Sequence, residues 1–167
     1  MSSSRARRLA ERNRRAEFDE TFASTIGASL LGVRRVRFLF HGQRDAESDG
    51  PLELAFSNNE FVTIRSGANG SSLFFARGRW KDPFAEPLSQ INREFVESHG
   101  QWSATDVSTE PPYSTLIDDE VVSCEPTWDS AIPDISALAL RTAQDHRLDA
   151  VVDGDGLWVS VDGRAVL

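Results

Sequence analysis

The chain carries the same pattern of short strands twice, and this repetition constrains its fold more than any other feature. Residues 137–163 contain three runs in which hydrophobic residues alternate with polar or small ones, the period of a strand with one buried face. Asp-Gly pairs at 153–156 supply residues that tolerate the positive φ angles of a tight hairpin. Runs at 52–54, 61–64 and 72–75 repeat the arrangement earlier in the chain. The sequence therefore predicts two β-meanders in tandem.

An apolar leader precedes each meander, at residues 30–40 in the first half and 116–124 in the second. An N-terminal helix of about twenty residues is predicted to begin near Arg5, because the serines at 2–4 can cap its first turn. Phe18 and Phe22 stand one turn apart and give this helix apolar surface. The first half of this helix is too polar for burial, so its arginine-rich end is predicted to project from the body.

The segment between the meanders is predicted to be a helix followed by an irregular connector. Apolar residues from Leu88 to Phe95 recur at helical spacing, and Gly100 supplies a C-terminal stop, which places this helix at 87–98. Residues 101–113 contain two consecutive prolines and are predicted to be irregular. The fold class is therefore α+β and predominantly antiparallel β, with two tandem β-meander repeats, an N-terminal helix and an inter-repeat helix.

At 167 residues the chain is short enough to fold around a single core. We expect an N-terminal arginine-rich arm at 1–26 and a single β-rich domain at 27–167. That domain would consist of two related halves, at about 27–78 and 115–167, joined by a helical connector at 79–114.

Several features predict a cytoplasmic protein that does not enter a membrane. No apolar run reaches the length of a membrane helix, and the charged N-terminus has no apolar region of the kind found in secretory signals. Cys124, the single cysteine, has no partner for an internal disulfide. Its alternating strand predicts that it serves as a small buried hydrophobic residue.

No catalytic motif is present, so the chain is predicted not to be an enzyme and to hold no cofactor or metal. The three histidines, His41, His99 and His146, are far apart in sequence, and there is no HExxH or CxxC motif. The Asp-Gly run at 153–156 resembles the start of a calcium loop, but Arg164 occupies the position that requires a bidentate glutamate. Hairpin turns explain the Asp-Gly run.

Charge is distributed unevenly along the chain, whose formal net charge is -8. Residues 1–15 carry six arginines and one glutamate, a net charge of +5, whereas residues 101–167 carry three arginines and thirteen acidic residues, a net charge of −10. Such an acidic body repels nucleic acid and favours basic protein partners.

The candidate partner-binding surface combines the densest acidic run with a nearby tryptophan, because an exposed tryptophan surrounded by carboxylates can anchor a basic partner. The candidate residues are Asp118, Asp119, Glu120, Glu125, Trp128 and Asp129. The alternative interpretation of the acidic run is an exposed turn.

The half-repeat, carried by residues 51–75 and 136–163, runs Leu-x-Leu, polar turn, apolar strand, Gly-containing turn and apolar strand. In this pattern the chain resembles small uncharacterised bacterial β-rich proteins, including immunity proteins that accompany polymorphic toxins. The resemblance implies inhibition by binding, in which an acidic protein caps the basic active cleft of a toxin. It carries no catalytic motif, so it assigns no functional residue.

A second hypothesis assigns assembly or nucleic-acid binding to the N-terminal arginines, which would contact phosphates. The candidate residues are Arg5, Arg7, Arg8, Arg12, Arg14 and Arg15. The alternative is a solvated helix, or one that docks on the acidic body of its own or a neighbouring subunit, since no aromatic residue interleaves these arginines. The oligomeric state is left open by the sequence.

Overall fold

A computed structural model describes residues 3–45 and 50–166 of the chain. Within these ranges the backbone forms two helices and eleven strands, with short 3₁₀ turns at Ala23–Thr25 and Tyr113–Leu116. In chain order the elements are α1 (Ser3–Phe22), β1 (Leu30–Phe40), β2 (Gln43–Arg44), β3 (Leu52–Phe56), β4 (Phe61–Ser66), β5 (Leu73–Arg77), α2 (Gln90–His99), β6 (Gln101–Asp106), β7 (Val121–Trp128), β8 (Ile135–Thr142), β9 (Arg147–Asp153), β10 (Gly156–Val161) and β11 (Arg164–Val166).

The strands form two antiparallel sheets, and each contains one of the predicted meanders. The first sheet has the order β6-β1-β3-β4-β5, with β2 paired to the end of β1. The second sheet follows the sequence, β7-β8-β9-β10-β11. The prediction of an α+β fold with two tandem meanders and two helices is confirmed.

The predicted irregular connector at 101–113 is wrong over its first half. Residues Gln101–Asp106 form β6, which pairs with β1 from Leu39 opposite Gln101 to Arg34 opposite Asp106. β1 is eleven residues long and has a second edge whose backbone groups need partners. A polar segment satisfies that edge as well as an apolar one, because ladder hydrogen bonds involve only the backbone.

α2 begins later than the sequence predicts and leaves its side chains outside the core. Ser89 is the N-cap, since its hydroxyl accepts a hydrogen bond from the Asn92 amide at 3.2 Å, and the helix starts at the next residue. No residue of α2 is buried.

Neither helix of the described residues combines the length and the apolar character that a membrane span requires.

One hydrophobic core draws on both sheets and on α1. Phe18 and Phe22 of α1 are buried against Phe75 of β5, with ring centroids 5.3 and 5.8 Å apart. Burial of each phenylalanine contributes on the order of 2–3 kcal/mol to stability. The helix also borders β7, as shown by a 180 Å³ cavity that Cys124 of β7 lines together with both phenylalanines. α1 therefore lies between the edge strand β5 of one sheet and the edge strand β7 of the other.

Arg14 fastens the middle of α1 to the body, whereas residues 4–9, in the arginine-rich end that the sequence predicted to project, are exposed. Its Nε donates to Asp134 Oδ1 at 2.7 Å and its Nη1 to Glu17 at 2.6 Å, while Nη2 donates to the Leu73 carbonyl oxygen. The guanidinium also lies over the Phe75 ring, 4.2 Å from its centroid. Burial alone would lower the pKa of Arg14, but the bonds to Glu17 and Asp134 outweigh it and raise the pKa.

Replacement of Arg14 by methionine should lower the free energy of unfolding by about 1.5–3 kcal/mol, because the charged hydrogen bonds to Asp134 and Leu73 are lost while the aliphatic stem is kept. Arg15→Met is the matched control, since Arg15 is exposed and pairs only with Asp19 on its own helix; we expect a change below about 0.5 kcal/mol. Urea unfolding of both variants measures the difference, and equal losses would show that Arg14 does not anchor the helix.

Candidate protein-binding surfaces

The acidic residues predicted to form one surface are separated by β7. Asp118 and Glu120 precede the first residue of the strand, whereas Trp128 and Asp129 stand at its end. Seven residue steps along a strand span about 23 Å. Alternation along β7 also divides the set, because Glu125 and Trp128 lie on opposite faces of the second sheet. The six residues therefore do not converge on one site.

Asp119 has a structural position and is inaccessible to a partner. It is 3% exposed, and its carboxylate accepts hydrogen bonds from the amides of Glu120 at 3.0 Å and Gln144 at 3.2 Å. The second bond ties the turn after β8 to the start of β7. Placing Asp119 on a binding surface was therefore wrong, since its carboxylate is already occupied by backbone donors. Asp118 and Glu120 beside it are exposed.

Asp129 organises the loop between β7 and β8. Its Oδ1 accepts hydrogen bonds from the amides of Ala131 at 2.6 Å and Ile132 at 3.0 Å. These two backbone bonds lower the pKa of Asp129, the bond from Ala131 contributing most. The carboxylate therefore stays ionised at neutral pH while it shapes the turn.

Trp128 lies beside arginines, although its sequence neighbours are acidic. It lines an open groove of about 550 Å³ with Arg8, Glu11, Arg12 and Arg15 of α1. The sequence interpretation that no aromatic residue accompanies the arginines holds along the chain but not in space. The fold brings Trp128 to them because its side of β7 faces α1.

The six N-terminal arginines divide into a paired set and an unpaired set. Arg7 pairs with Glu11 and the Ser130 carbonyl, Arg14 is anchored as described, and Arg15 pairs with Asp19. The other three have neither an ion pair nor a hydrogen bond within residues 3–45 and 50–166. With the half-exposed Leu9 they form one strip of the helix surface, here called the arginine ridge: Arg5, Arg8, Leu9 and Arg12.

The outer face of the second sheet carries an exposed hydrophobic row. Strand pairing aligns Thr127, Ala137, Val151 and Trp158 across β7, β8, β9 and β10. Val151 is 41% exposed and Trp158 is 49% exposed. Ala137 is only 9% exposed, so Val151 and Trp158 supply the accessible apolar surface of this row.

Carboxylates surround this row on the same face. Asp149 and Asp153 flank Val151 along β9, and Glu125 lies across β8 from Asp149 through Ala139. Asp149 binds Arg147 through both oxygens, at 2.8 and 2.9 Å, and this bond raises the pKa of Arg147. Glu125 and Asp153 have no ion pair within the described residues. We call this surface the Trp158 face: Glu125, Asp149, Val151, Asp153 and Trp158.

Trp158 is held in place by a hydrogen bond. Its indole Nε1 donates to the Asp153 carbonyl oxygen at 3.1 Å, across the β9–β10 hairpin. The ring is therefore oriented before any partner arrives, which lowers the conformational entropy that binding would cost. The exposure of Trp158 could have been predicted from the sequence. The buried positions of β10 alternate, at Leu157, Val159 and Val161, so Trp158 between them must point outward.

Groups that often perform chemistry do not assemble into a site in the part of the chain that the structure describes. No cluster of three or more His, Cys, Asp and Glu side chains is arranged to bind a metal there. Burial, and to a smaller extent Glu125, raises the pKa of the Cys124 thiol.

His146, in the β8–β9 turn, has its Nδ1 2.8 Å from Oδ2 of Asp162, which follows β10. Asp162 also accepts a hydrogen bond from the Arg147 amide. The backbone bond from Arg147, followed by the His146 contact, lowers the pKa of Asp162.

Asp119→Ala should destabilise the fold by about 1–3 kcal/mol, because two backbone amides lose their acceptor. Asp119→Asn keeps one carbonyl acceptor and should lose less. Glu120→Ala, which removes an exposed carboxylate from the next residue, is the control and should change stability by less than about 0.5 kcal/mol. Thermal unfolding measures all three; an Asp119→Ala variant as stable as the control would contradict the structural role.

Comparison with known proteins assigns no family to this fold. The chain matches no protein-family model, and no curated protein or solved structure is detectably similar to it. The resemblance to immunity proteins therefore stays a prediction, and the functional argument depends on the geometry of the two surfaces described above.

Proposed function

We propose that the protein is a binding module that engages a basic protein through the Trp158 face. The observation that supports this proposal is an exposed tryptophan, fixed by its indole hydrogen bond and flanked by Val151 and carboxylates. Tryptophans in such settings supply a large share of interface energy, typically about 2 kcal/mol or more each. The proposal makes the protein a binding partner rather than an enzyme.

The charge of the chain suits this role. A net charge of -8, with the excess in the second half of the sequence, attracts basic proteins over distances set by ionic strength. Asp118, Glu120 and Asp129 contribute to this field even though they lie outside the Trp158 face. Long-range attraction accelerates encounter, whereas Trp158 and Val151 set the residence time of the complex.

A cytoplasmic inhibitor that caps the basic active cleft of a toxin is the specific form of this function that we propose. The face is raised at its centre by Trp158 and Val151, and acidic around them. A basic cleft presents the complementary shape and charge. An immunity protein works in this way without chemistry of its own, so the same five side chains account for recognition and for inhibition.

Trp158→Ala should weaken capture of the partner about 30-fold, the equivalent of about 2 kcal/mol. The wild type, this variant and Ile91→Ala would be immobilised, and proteins retained from lysate of the native host would be identified at low and moderate salt. Ile91 is the control because it is an exposed apolar residue of α2, on the other half of the molecule.

The proposal requires three results together. One basic protein must be retained in stoichiometric amount, it must dissociate as salt rises, and it must be lost with Trp158→Ala but not with Ile91→Ala. Equal retention by wild type and Trp158→Ala would exclude the Trp158 face. An acidic partner would contradict the electrostatic argument.

A second candidate function, binding of single-stranded nucleic acid, is favoured by the groove between α1 and Trp128. Arg8 and Arg12 form no ion pair within the described residues, and Trp128 offers a surface on which a base could stack. Grooves that bind single strands combine these two elements. Glu11 in the same groove and the acidic body weaken the attraction, so we rank this function below protein binding.

Arg8→Gln combined with Arg12→Gln should abolish most oligonucleotide binding, if the groove binds single strands. Loss of two phosphate contacts should reduce the salt dependence of binding by about 1.4 in slope. Arg44→Gln with Arg164→Gln removes the same charge from exposed positions elsewhere and is the control. Fluorescence anisotropy with labelled single-stranded DNA and RNA measures both, and no binding by the wild type at low salt would reject this candidate.

A further inference from the structure

We propose that the arginine ridge of one copy binds the Trp158 face of a second copy, so that the protein self-associates head to tail. This inference depends on the proposed function in one respect, because the neighbour occupies the face assigned to the basic partner. Self-association would then compete with partner binding and regulate access to Trp158.

The ridge is available to another molecule because the anchored side of α1 is a different side. At 100° per residue, Arg5, Arg8, Leu9 and Arg12 are rotated by about 80–180° from Phe18 around the helix axis. Phe18 is buried in the core, and Arg14 holds the helix to Asp134 and Leu73. The ridge therefore lies on helix surface that the core and Arg14 leave accessible, and Arg8 and Arg12 also border the groove beside Trp128.

The two surfaces of one molecule cannot meet each other. α1 packs on the side of β7 that carries Cys124 and Trp128, whereas the Trp158 face begins on the opposite side, with Glu125. The second sheet stands between them. The arginine ridge thus complements the Trp158 face but cannot contact the face of its own molecule. A second copy can bring its ridge to that face.

The ridge and the face match in chemistry as well as in charge. The ridge has three guanidinium groups around Leu9 that form no ion pair with any described residue, and Leu9 is 48% exposed. The face has the carboxylates of Glu125 and Asp153 around Val151 and Trp158, and these two also lack an ion pair in the described part of the chain. Leu9 can cover Val151 while an arginine stacks on the indole ring and others bind carboxylates. Residues 1–15 and 101–167 carry opposite net charges, +5 and −10.

The geometry also fixes the symmetry of the assembly. Contact between two different patches is heterologous, so each copy keeps one free ridge or one free face after pairing. Because the ridge and the face lie on opposite sides of the second sheet, two copies cannot make both reciprocal contacts at once, and association continues into a ring or an open chain. The patches are small, so the contact should be weak, reversible and sensitive to salt.

Two variants that each lack one surface test the inference. The first, Arg5→Glu with Arg8→Glu and Arg12→Glu, lacks the ridge and keeps the face. The second, Trp158→Ala with Glu125→Lys and Asp153→Lys, lacks the face and keeps the ridge. All six side chains are exposed, so both variants should fold, which thermal unfolding checks. Sedimentation velocity at low and high salt then measures the mass of each protein alone and of an equimolar mixture.

We expect the wild type to grow in mass with concentration at low salt and to be monomeric at high salt. Each variant alone should be monomeric, and the mixture should give a 1:1 dimer that does not grow further, because only one compatible pair of surfaces remains. A monomeric wild type at low salt, a variant that still associates by itself, or a mixture without dimer would each overturn the inference.

Partner capture distinguishes this inference from the proposed function. The ridge variant keeps its Trp158 face, so it should capture the basic partner at least as well as the wild type, and better at protein concentrations where the wild type associates. If the wild type is monomeric but Trp158-dependent capture persists, the inference fails and the proposed function stands. If dimerisation in the mixture occurs without any captured partner, the self-contact stands and the proposed function fails.

Discussion

The docking of α1 between the two sheets is the constraint on which the other surfaces depend. Phe18 and Phe22 fill the space against Phe75, and Arg14 bonds both to Leu73 of the first sheet and to Asp134 in the loop that precedes β8 of the second. This arrangement fixes the rotation of the helix about its axis. The rotation decides which arginines bond to the body and which have no partner among the described residues, so a core contact determines the composition of the ridge.

β7 separates surfaces of opposite charge by the simple alternation of its side chains. Cys124 and Trp128 face α1 and its arginines, whereas Glu125 faces outward with the carboxylates of β9. One strand thus borders a basic groove on one side and an acidic face on the other. The net charge of -8 belongs to the whole chain and describes neither the groove nor the acidic face.

The strand pattern and α1 could be predicted from sequence because their periodicity depends on the split between core and solvent. α2 was predicted from its apolar spacing and from Gly100, although none of its residues is buried. β6 could not be predicted, since its polar residues pair through backbone groups with the second edge of β1. Asp119 was misjudged because sequence shows a run of three acidic residues but not that the middle one accepts two backbone hydrogen bonds. Trp128 was misjudged because its sequence neighbours are carboxylates, while its neighbours in space belong to a helix more than a hundred residues away.

As evidence for a binding surface, exposed hydrophobic side chains are stronger than a high density of carboxylates. Carboxylates on a soluble protein need no partner to be stable in water, so a run of them is weak evidence for binding. Trp158 and Val151 lie on the solvent-exposed face of β10 and β9, whose opposite faces supply the core. Their large side chains therefore contribute little to the stability of the fold. Trp158 is oriented by a hydrogen bond to Asp153 without being buried. A rigid, exposed aromatic ring beside carboxylates, of which Glu125 and Asp153 have no ion pair within the described residues, favours recognition of another molecule over stabilisation of its own fold.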